Sequence, residues 1–367
     1  MKVKRAIFAA LLLSVVLATI LQSQAAIDTR QIDEVLKKQV LDSGDLQIID
    51  EFLAEAVQEL VKTRDFTSIA KTRTIILSRR SAQAQYAQQF SESAHKYISS
   101  GLTEASELPE ERQFKVVLNL LILIDGLEDP RLTDLPMGRL KDKSKAIRYW
   151  AVRCITNPGL IRKLNPTEAA NLRLAQRITQ QLKALVDSGD HEILALMTEF
   201  ADQIKIPEGQ DLLLQIADTR IKRYEDWTVR YELLDSAILK SLFNKITSAG
   251  LNKPTIAGRF AQLYYYAIQR YISGQDFSTD NSKHYLASVL VETEEKCIGK
   301  LLGLPQSTIR RAVERDDLSL LVQERDRLFG DQTTAGQLQL KLNIDFGKDP
   351  SGKKRIAPFD LPDPPKK

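Results

Sequence analysis

Leu41-Asp42-Ser43-Gly44-Asp45-Leu46-Gln47-Ile48-Ile49 returns further along the chain as Val186-Asp187-Ser188-Gly189-Asp190-His191-Glu192-Ile193-Leu194. In both copies a Gly follows one apolar-periodic stretch and an Asp opens the next. Glycine takes the left-handed backbone that closes a helix, and an Asp side chain accepts from the orphan N–H groups of a helix start. The repeated piece therefore reads as a tight turn between two helices. Its D-x-x-D pair falls short of the oxygen ligands that an EF-type calcium loop needs at set spacing.

Outward from this turn, helical periodicity is nearly continuous from Asp28 to Leu328, and strand-like alternation is scarce. The breaks carry their own chemistry. Asn165-Pro166-Thr167-Glu168 offers an Asn cap, a Pro at the first helical position and a Glu at the third. Ile206-Pro207-Glu208 and Leu304-Pro305-Gln306 repeat that Pro placement, and Gly44, Gly189, Gly250, Gly303 and Gly330 stand where periodicity ends. These marks predict helices over 28–42, 46–63, 66–100, 109–125, 143–156, 166–187, 190–204, 208–222, 225–248, 254–273, 281–302 and 306–328. Short turns make such helices antiparallel neighbours. The expected class is all-α, built from stacked antiparallel hairpins.

Three stretches in the middle echo one another at roughly the 40-residue spacing of two-helix repeats. They are Ile147-Arg148-Tyr149-Trp150-Ala151-Val152, Ile193-Leu194-Ala195-Leu196-Met197-Thr198 and Val229-Arg230-Tyr231-Glu232-Leu233-Leu234. The first, extended back to Asp142, resembles the second-helix signature of a HEAT repeat. There an Asp precedes a Val/Ile-Arg pair and a buried Ala follows three residues after the Arg. Ala151 stands at that place here, and Leu233 replaces it after Arg230. The resemblance covers about residues 130–230. It implies an α-solenoid-like array of the HEAT/armadillo kind, with a curved surface for extended partners and no chemistry of its own. In such arrays an Arg placed like Arg148 or Arg230 bonds an acidic residue of a neighbouring unit. Arg148, Tyr149, Trp150 and Arg153 also form an aromatic and basic group.

The N-terminus reads as an export signal. Lys2, Lys4 and Arg5 precede an apolar run from Ala6 to Leu21, and Ser23-Gln24-Ala25 places small residues at the positions a signal peptidase inspects. Cleavage is expected after Ala25, with a retained anchor as the alternative. No later run is membrane-length, and Val116–Ile124 is the length of a buried helix. The formal charge is +4, but three cations lie in the expected signal, and the last 21 residues carry six Lys/Arg against three Asp. The helical body is thus slightly acidic, which argues against a nucleic-acid partner. Cys154 and Cys297 have two readings in an oxidising compartment: a disulfide, or two separate buried thiols.

The C-terminal part differs from the rest. Residues 337–346 alternate polar and apolar side chains, which predicts an extended segment over 331–346 following the helical body at 26–330. Residues 347–367 are rich in Pro, Lys and Asp and are expected to be extended or disordered. His95, His191 and His284 lack metal-binding spacing, and no GxSxG, P-loop, GxGxxG or CxxC motif occurs, so no cofactor or metal is expected. The candidate binding surface is Arg259, Tyr264, Tyr265, Tyr266, Arg270 and Tyr271 on one helix. Consecutive residues lie about 100° apart on a helix, so at least one of the three tyrosines is expected to be half exposed. Exposed Tyr beside Arg suits interface hot spots and sugar stacking, whereas the structural alternative buries each ring and points its hydroxyl to water. The expected function is a non-enzymatic binding or scaffolding protein of the cell envelope, periplasmic or extracellular. Its expected partner is a protein or envelope component. An all-α enzyme with an unrecognised site is the alternative.

Overall fold

A computed structural model describes residues 27–165, 168–248, 253–274, 279–331, 333–344, 346–348 and 351–364. The expected cleavage after Ala25, and the caps expected of Pro166 and Gly250, lie outside them. The fold is all-α: among the described residues only the isolated bridges Gly330–Ala335 and Lys348–Lys354 are β in character. No helix among them is long and apolar enough to cross a membrane. Where a single body over 26–330 was expected, contacts divide the chain into two compact units, one up to Gly138 and one from Arg139 onward.

The first unit contains α1 (Arg30–Val35), α2 (Ser43–Lys62), α3 (Phe66–Ser78), α4 (Ala84–Ala105) and α5 (Glu110–Leu127). α2 packs against all four others. Val116, Val117, Leu120, Leu121, Leu123 and Ile124 of the most hydrophobic internal run are buried on α5. The helix expected over 66–100 is two helices, parted at Arg79–Gln83, where the Tyr86 hydroxyl donates to the Arg79 carbonyl at 2.8 Å. The first copy of the repeated turn is shifted from its expected place. Asp42 caps α2 by accepting from the Asp45 amide at 2.9 Å, and Asp45 accepts from the Asp42 amide at 3.1 Å. This reciprocal box satisfies two orphan donors, so Gly44 falls inside the first turn of α2 and closes no helix.

The second unit is a two-row stack. Its main helices are α6 (Lys145–Ile155), α7 (Pro158–Leu164), α8 (Ala169–Lys183), α9 (His191–Gln203), α10 (Pro207–Glu225), α11 (Leu233–Thr247), α12 (Lys253–Ser273), α13 (Asp280–Thr293), α14 (Thr308–Glu314), α15 (Leu318–Phe329) and α16 (Gln337–Leu342), with a single turn at Gly299–Leu302 after α13. α6, α9, α11 and α13 form one row, each touching the next, and α8, α10, α12 and α15 form the other. α9 with α10 and α11 with α12 also pack across the rows. One hairpin cannot bury its apolar face alone, and this arrangement gives the inner ones a neighbour on both sides. Pro207 opens α10, and Gly303, at φ 77°, closes the turn after α13, as expected. Pro305 lies upstream of its helix, which starts only at Thr308.

One expectation is corrected here, and two open readings are decided. Residues 337–342 form helix α16, not a strand. Only Leu338 of its leucines is fully buried, and a helix bonds its own backbone where a strand would need a partner edge. In the tail expected to be extended or disordered, residues 358–362 are extended and lie along α12, with Gln262 and Gln269 bonding the Phe359 and Leu361 backbones. Of the two readings for the cysteines, the structure has separate buried thiols: Cys154 and Cys297 are both free and buried. Cys154 lies on α6, and Cys297 lies in a π turn at Glu294–Ile298 that continues α13. Two helices of the row, α9 and α11, stand between α6 and α13, and neighbouring helix axes are about 8–10 Å apart, beyond the roughly 7 Å limit for bridged Cα atoms. Burial pushes the Cys297 thiol up to about 11. We therefore expect a thiol titration at neutral pH to find no fast-reacting cysteine in the native chain. Two should appear on adding guanidinium.

Candidate functional site

The site arises where the sequence predicted an unbroken helix over 225–248. α10 instead stops at Glu225, and residues 226–232 form a loop before α11. Trp227 at φ 54° and Tyr231 at φ 57° sit in the left-handed region, which is strained for bulky side chains. A buried network holds them there. The Arg220 guanidinium donates to the carbonyls of Arg230 (2.9 Å) and Tyr231 (3.2 Å), and pairs with Asp235 through both Nε and Nη2. The Tyr224 hydroxyl donates to the same carboxylate at 2.6 Å. Arg270 donates to the Val229 carbonyl at 3.4 Å and approaches Glu232 at 3.5 Å.

This fixed loop presents Tyr231 outward, 54% exposed, with its ring stacked on His191 at 3.3 Å between centroids. His191 opens α9, directly after the second copy of the repeated turn. The loop, the start of α9 and the start of α6 enclose an open cleft of about 830 Å³ lined by Lys145, Tyr149, Trp150, Asp190, Arg230 and Tyr231, among others. A second hollow of about 560 Å³ shares Tyr149 and Glu192 with it and runs on across α9 to Lys240 and Ser241 of α11. Together they make a groove over three helices of one row.

The groove is aromatic at one end and of mixed charge along its length. Tyr149 and Trp150 meet edge to face at 6.0 Å, and Arg153 stands over the Trp150 ring at 5.4 Å. Lys145 lies 3.6 Å from Asp190, and His191 lies 2.9 Å from Glu192. Arg223 donates to the Asp187 and Gly189 carbonyls at 3.4 and 3.3 Å, which anchors the turn beside the cleft. Rigid aromatic faces with satisfied charges around them suit recognition of an extended ligand. The first unit has an open hollow of about 730 Å³, but polar and charged side chains dominate it and no aromatic lines it.

The candidate surface on α12 has a different fate. Tyr264, Tyr265, Tyr266 and Tyr271 are all buried, and Arg270 is 8% exposed. Arg259 is half exposed and paired with Asp218 of α10. α12 is covered on several sides, by α10, α11, α13, α15 and the C-terminal segment, so successive tyrosines face different neighbours rather than water. Nor do the hydroxyls of the three consecutive tyrosines point to solvent. Tyr264 donates to the Leu290 carbonyl (2.8 Å), Tyr265 to Asp360 (2.7 Å) and Tyr266 to Glu225 (3.1 Å). Arg148 donates to the Asp142 and Lys143 carbonyls of its own loop at 2.8 and 3.2 Å, where an acidic partner on a neighbouring unit was expected. Arg230 stands on the cleft wall. His95 meets Asp134 at 3.0 Å in the first unit, and His284 lies beside Tyr285. Among the described residues no group of His, Cys, Asp and Glu is placed to hold a metal ion.

No family model matches the chain, and no curated protein matches it significantly. A solved crystal structure of an engineered protein aligns with 86% of this chain and 97% of its own, at 11% identity and a TM-score of 0.18.

Proposed function

We propose that this protein is an exported, non-enzymatic binding or scaffolding protein of the cell envelope, periplasmic or extracellular, built on HEAT-like stacked hairpins. It takes an extended partner, a protein or an envelope component, in the groove over α6, α9 and α11. One observation carries this reading: Tyr231 is held outward by a strained loop whose carbonyls are pinned from beneath by the buried Arg220. Strain of that kind costs about 1–3 kcal/mol per residue and persists where the surroundings over-determine it. A loop serving only to join two helices has no need of it.

The test compares capture from an envelope extract by the unaltered protein and by a Trp150→Ala/Tyr231→Gly variant. Glycine removes the Tyr231 ring and also relieves the left-handed backbone, so unfolding free energy should stay within about 1 kcal/mol. Hot-spot aromatics are worth about 2 kcal/mol or more each, so the captured partner should fall at least tenfold. Equal capture by both chains would remove the groove as the recognition surface. Export is tested separately, by sequencing the N-terminus of protein recovered from the envelope, which should begin at Ala26.

A further inference from the structure

The face of α12 that carries Gln262, Tyr265, Tyr266 and Gln269 follows i, i+3, i+4, i+7 spacing, so these side chains form one stripe. Residues 358–362 (Pro358-Phe359-Asp360-Leu361-Pro362) lie along it as an extended strip. The Gln262 amide grips the Phe359 backbone at both ends: Nε2 donates to its carbonyl and Oε1 accepts from its N–H, each at 2.8 Å. Gln269 accepts from the Leu361 N–H at 2.7 Å and donates to the Asp360 carboxylate at 2.9 Å. Tyr265 donates to the same carboxylate oxygen at 2.7 Å. Trp227 closes the far end, its indole N–H donating to the Pro362 carbonyl at 3.0 Å.

This is a reading head for an extended peptide. Two glutamines address main-chain groups that any sequence has, and Tyr265 with Gln269 address one acidic side chain. The chain's own segment fills the head poorly at one position. Phe359 stays 44% exposed, with the Arg355 guanidinium laid over its ring at 3.7 Å. Phe359 itself forms one wall of a hollow of about 210 Å³, whose other walls are Ile221, Gly258, Gln262 and Phe346 with the charged Asp218, Glu225 and Arg259 at its edge. A strip held mainly by hydrogen bonds, with its largest apolar side chain half out and Leu361 only part-buried, belongs to the low-stability end of a fold.

We propose that the α12 face is a docking site for an extended segment in which an aromatic residue precedes an Asp, and that residues 358–362 occupy it in cis until such a partner segment displaces them. A partner whose aromatic side chain enters the cavity gains burial that Phe359 forgoes. The site lies apart from the groove over α6, α9 and α11, so failure there leaves this inference standing.

The test uses a fluorescein-labelled peptide copying residues 355–364 and two full-length chains, unaltered and Asp360→Ala. A tethered segment competes at an effective concentration in the millimolar range, so the free peptide should bind the Asp360→Ala chain at least tenfold more tightly than the unaltered one. A peptide with Trp in place of its Phe should bind more tightly still, and one with Ala in place of its first Asp should not bind. Adding Gln262→Ala to the Asp360→Ala chain should abolish binding. A second measurement needs no variant: excess peptide should speed tryptic cleavage of the unaltered chain at Lys353, Lys354 and Arg355. Equal affinity for the two chains would overturn the proposal. So would failure of the peptide to bind a helical Asp360→Ala chain together with unchanged trypsin cleavage, because the strip would then be a permanent part of the fold.

Discussion

Asp235→Ala should destabilise the second unit by about 3–5 kcal/mol, the cost of breaking a buried ion pair from one side. Arg220 is 1% exposed and Asp235 is fully buried, as is Tyr224, which shares the carboxylate. Burial works against the guanidinium charge, yet the Asp235 carboxylate outweighs it and holds Arg220 above its ordinary value. Removing Asp235 strands that charge away from water and leaves the Tyr224 hydroxyl without its acceptor. The companion variant, Arg220→Met with Asp235→Leu, should recover part of the loss, because an apolar pair of similar volume avoids the desolvation penalty while the Tyr224 hydroxyl stays without its acceptor. It should not recover the groove. The Arg230 and Tyr231 carbonyls would lose their donors, and the left-handed turn at Tyr231 would lose what holds it. Urea denaturation followed by circular dichroism reads the first effect, and partner capture reads the second. A loss below about 1 kcal/mol for Asp235→Ala would show that the pair is not what fixes the loop.

That loop also marks where the sequence stopped being legible. The all-α class was readable because it rests on periodicity and caps, which are local properties. Pro207 and Gly303 act where their chemistry says they should. The break at 226–232 carries no Gly or Pro, and its two left-handed residues are a Trp and a Tyr, the types least expected there. Only long-range partners make it possible: Arg220, a turn and a half before the end of α10, and Asp235 on α11. Periodicity cannot see a partner across a loop. Half of the groove was visible, since Tyr149 and Trp150 stood out as an aromatic group beside arginines. The other half depends on His191 meeting Tyr231, which no spacing announces. The tyrosine run on α12 failed for a related reason. The argument from 100° steps holds for a helix with one covered side, and α12 is covered on several. What the run does instead is hold the C-terminal strip, whose composition left open an extended or a disordered tail.

The three tyrosines should separate cleanly under substitution, with Tyr264→Ala the most damaging. Its ring is fully buried between Phe260 and Phe329, at 6.2 and 6.0 Å between centroids. Truncating such an aromatic costs about 3–5 kcal/mol, because the cavity closes only in part. Its hydroxyl donates to the Leu290 carbonyl on α13, one turn before the π turn at Glu294. Burial, and after it the nearby Glu294 carboxyl, holds that hydroxyl well above its ordinary value, so it remains a donor at any working pH. Tyr264→Phe removes only this bond and should cost about 1 kcal/mol, since the Glu294 N–H still reaches the Leu290 carbonyl. Tyr265→Phe keeps the ring against Phe329 at 5.3 Å and removes a bond to Asp360, so it should leave the thermal transition nearly in place while loosening the strip at 358–362. The informative quantity is the contrast, measured by calorimetry for stability and by tryptic cleavage at Arg355 for the strip. If Tyr264→Ala and Tyr265→Phe shifted both measurements together, strip and core would be one cooperative unit, and the strip would have no freedom to give up its place to another chain.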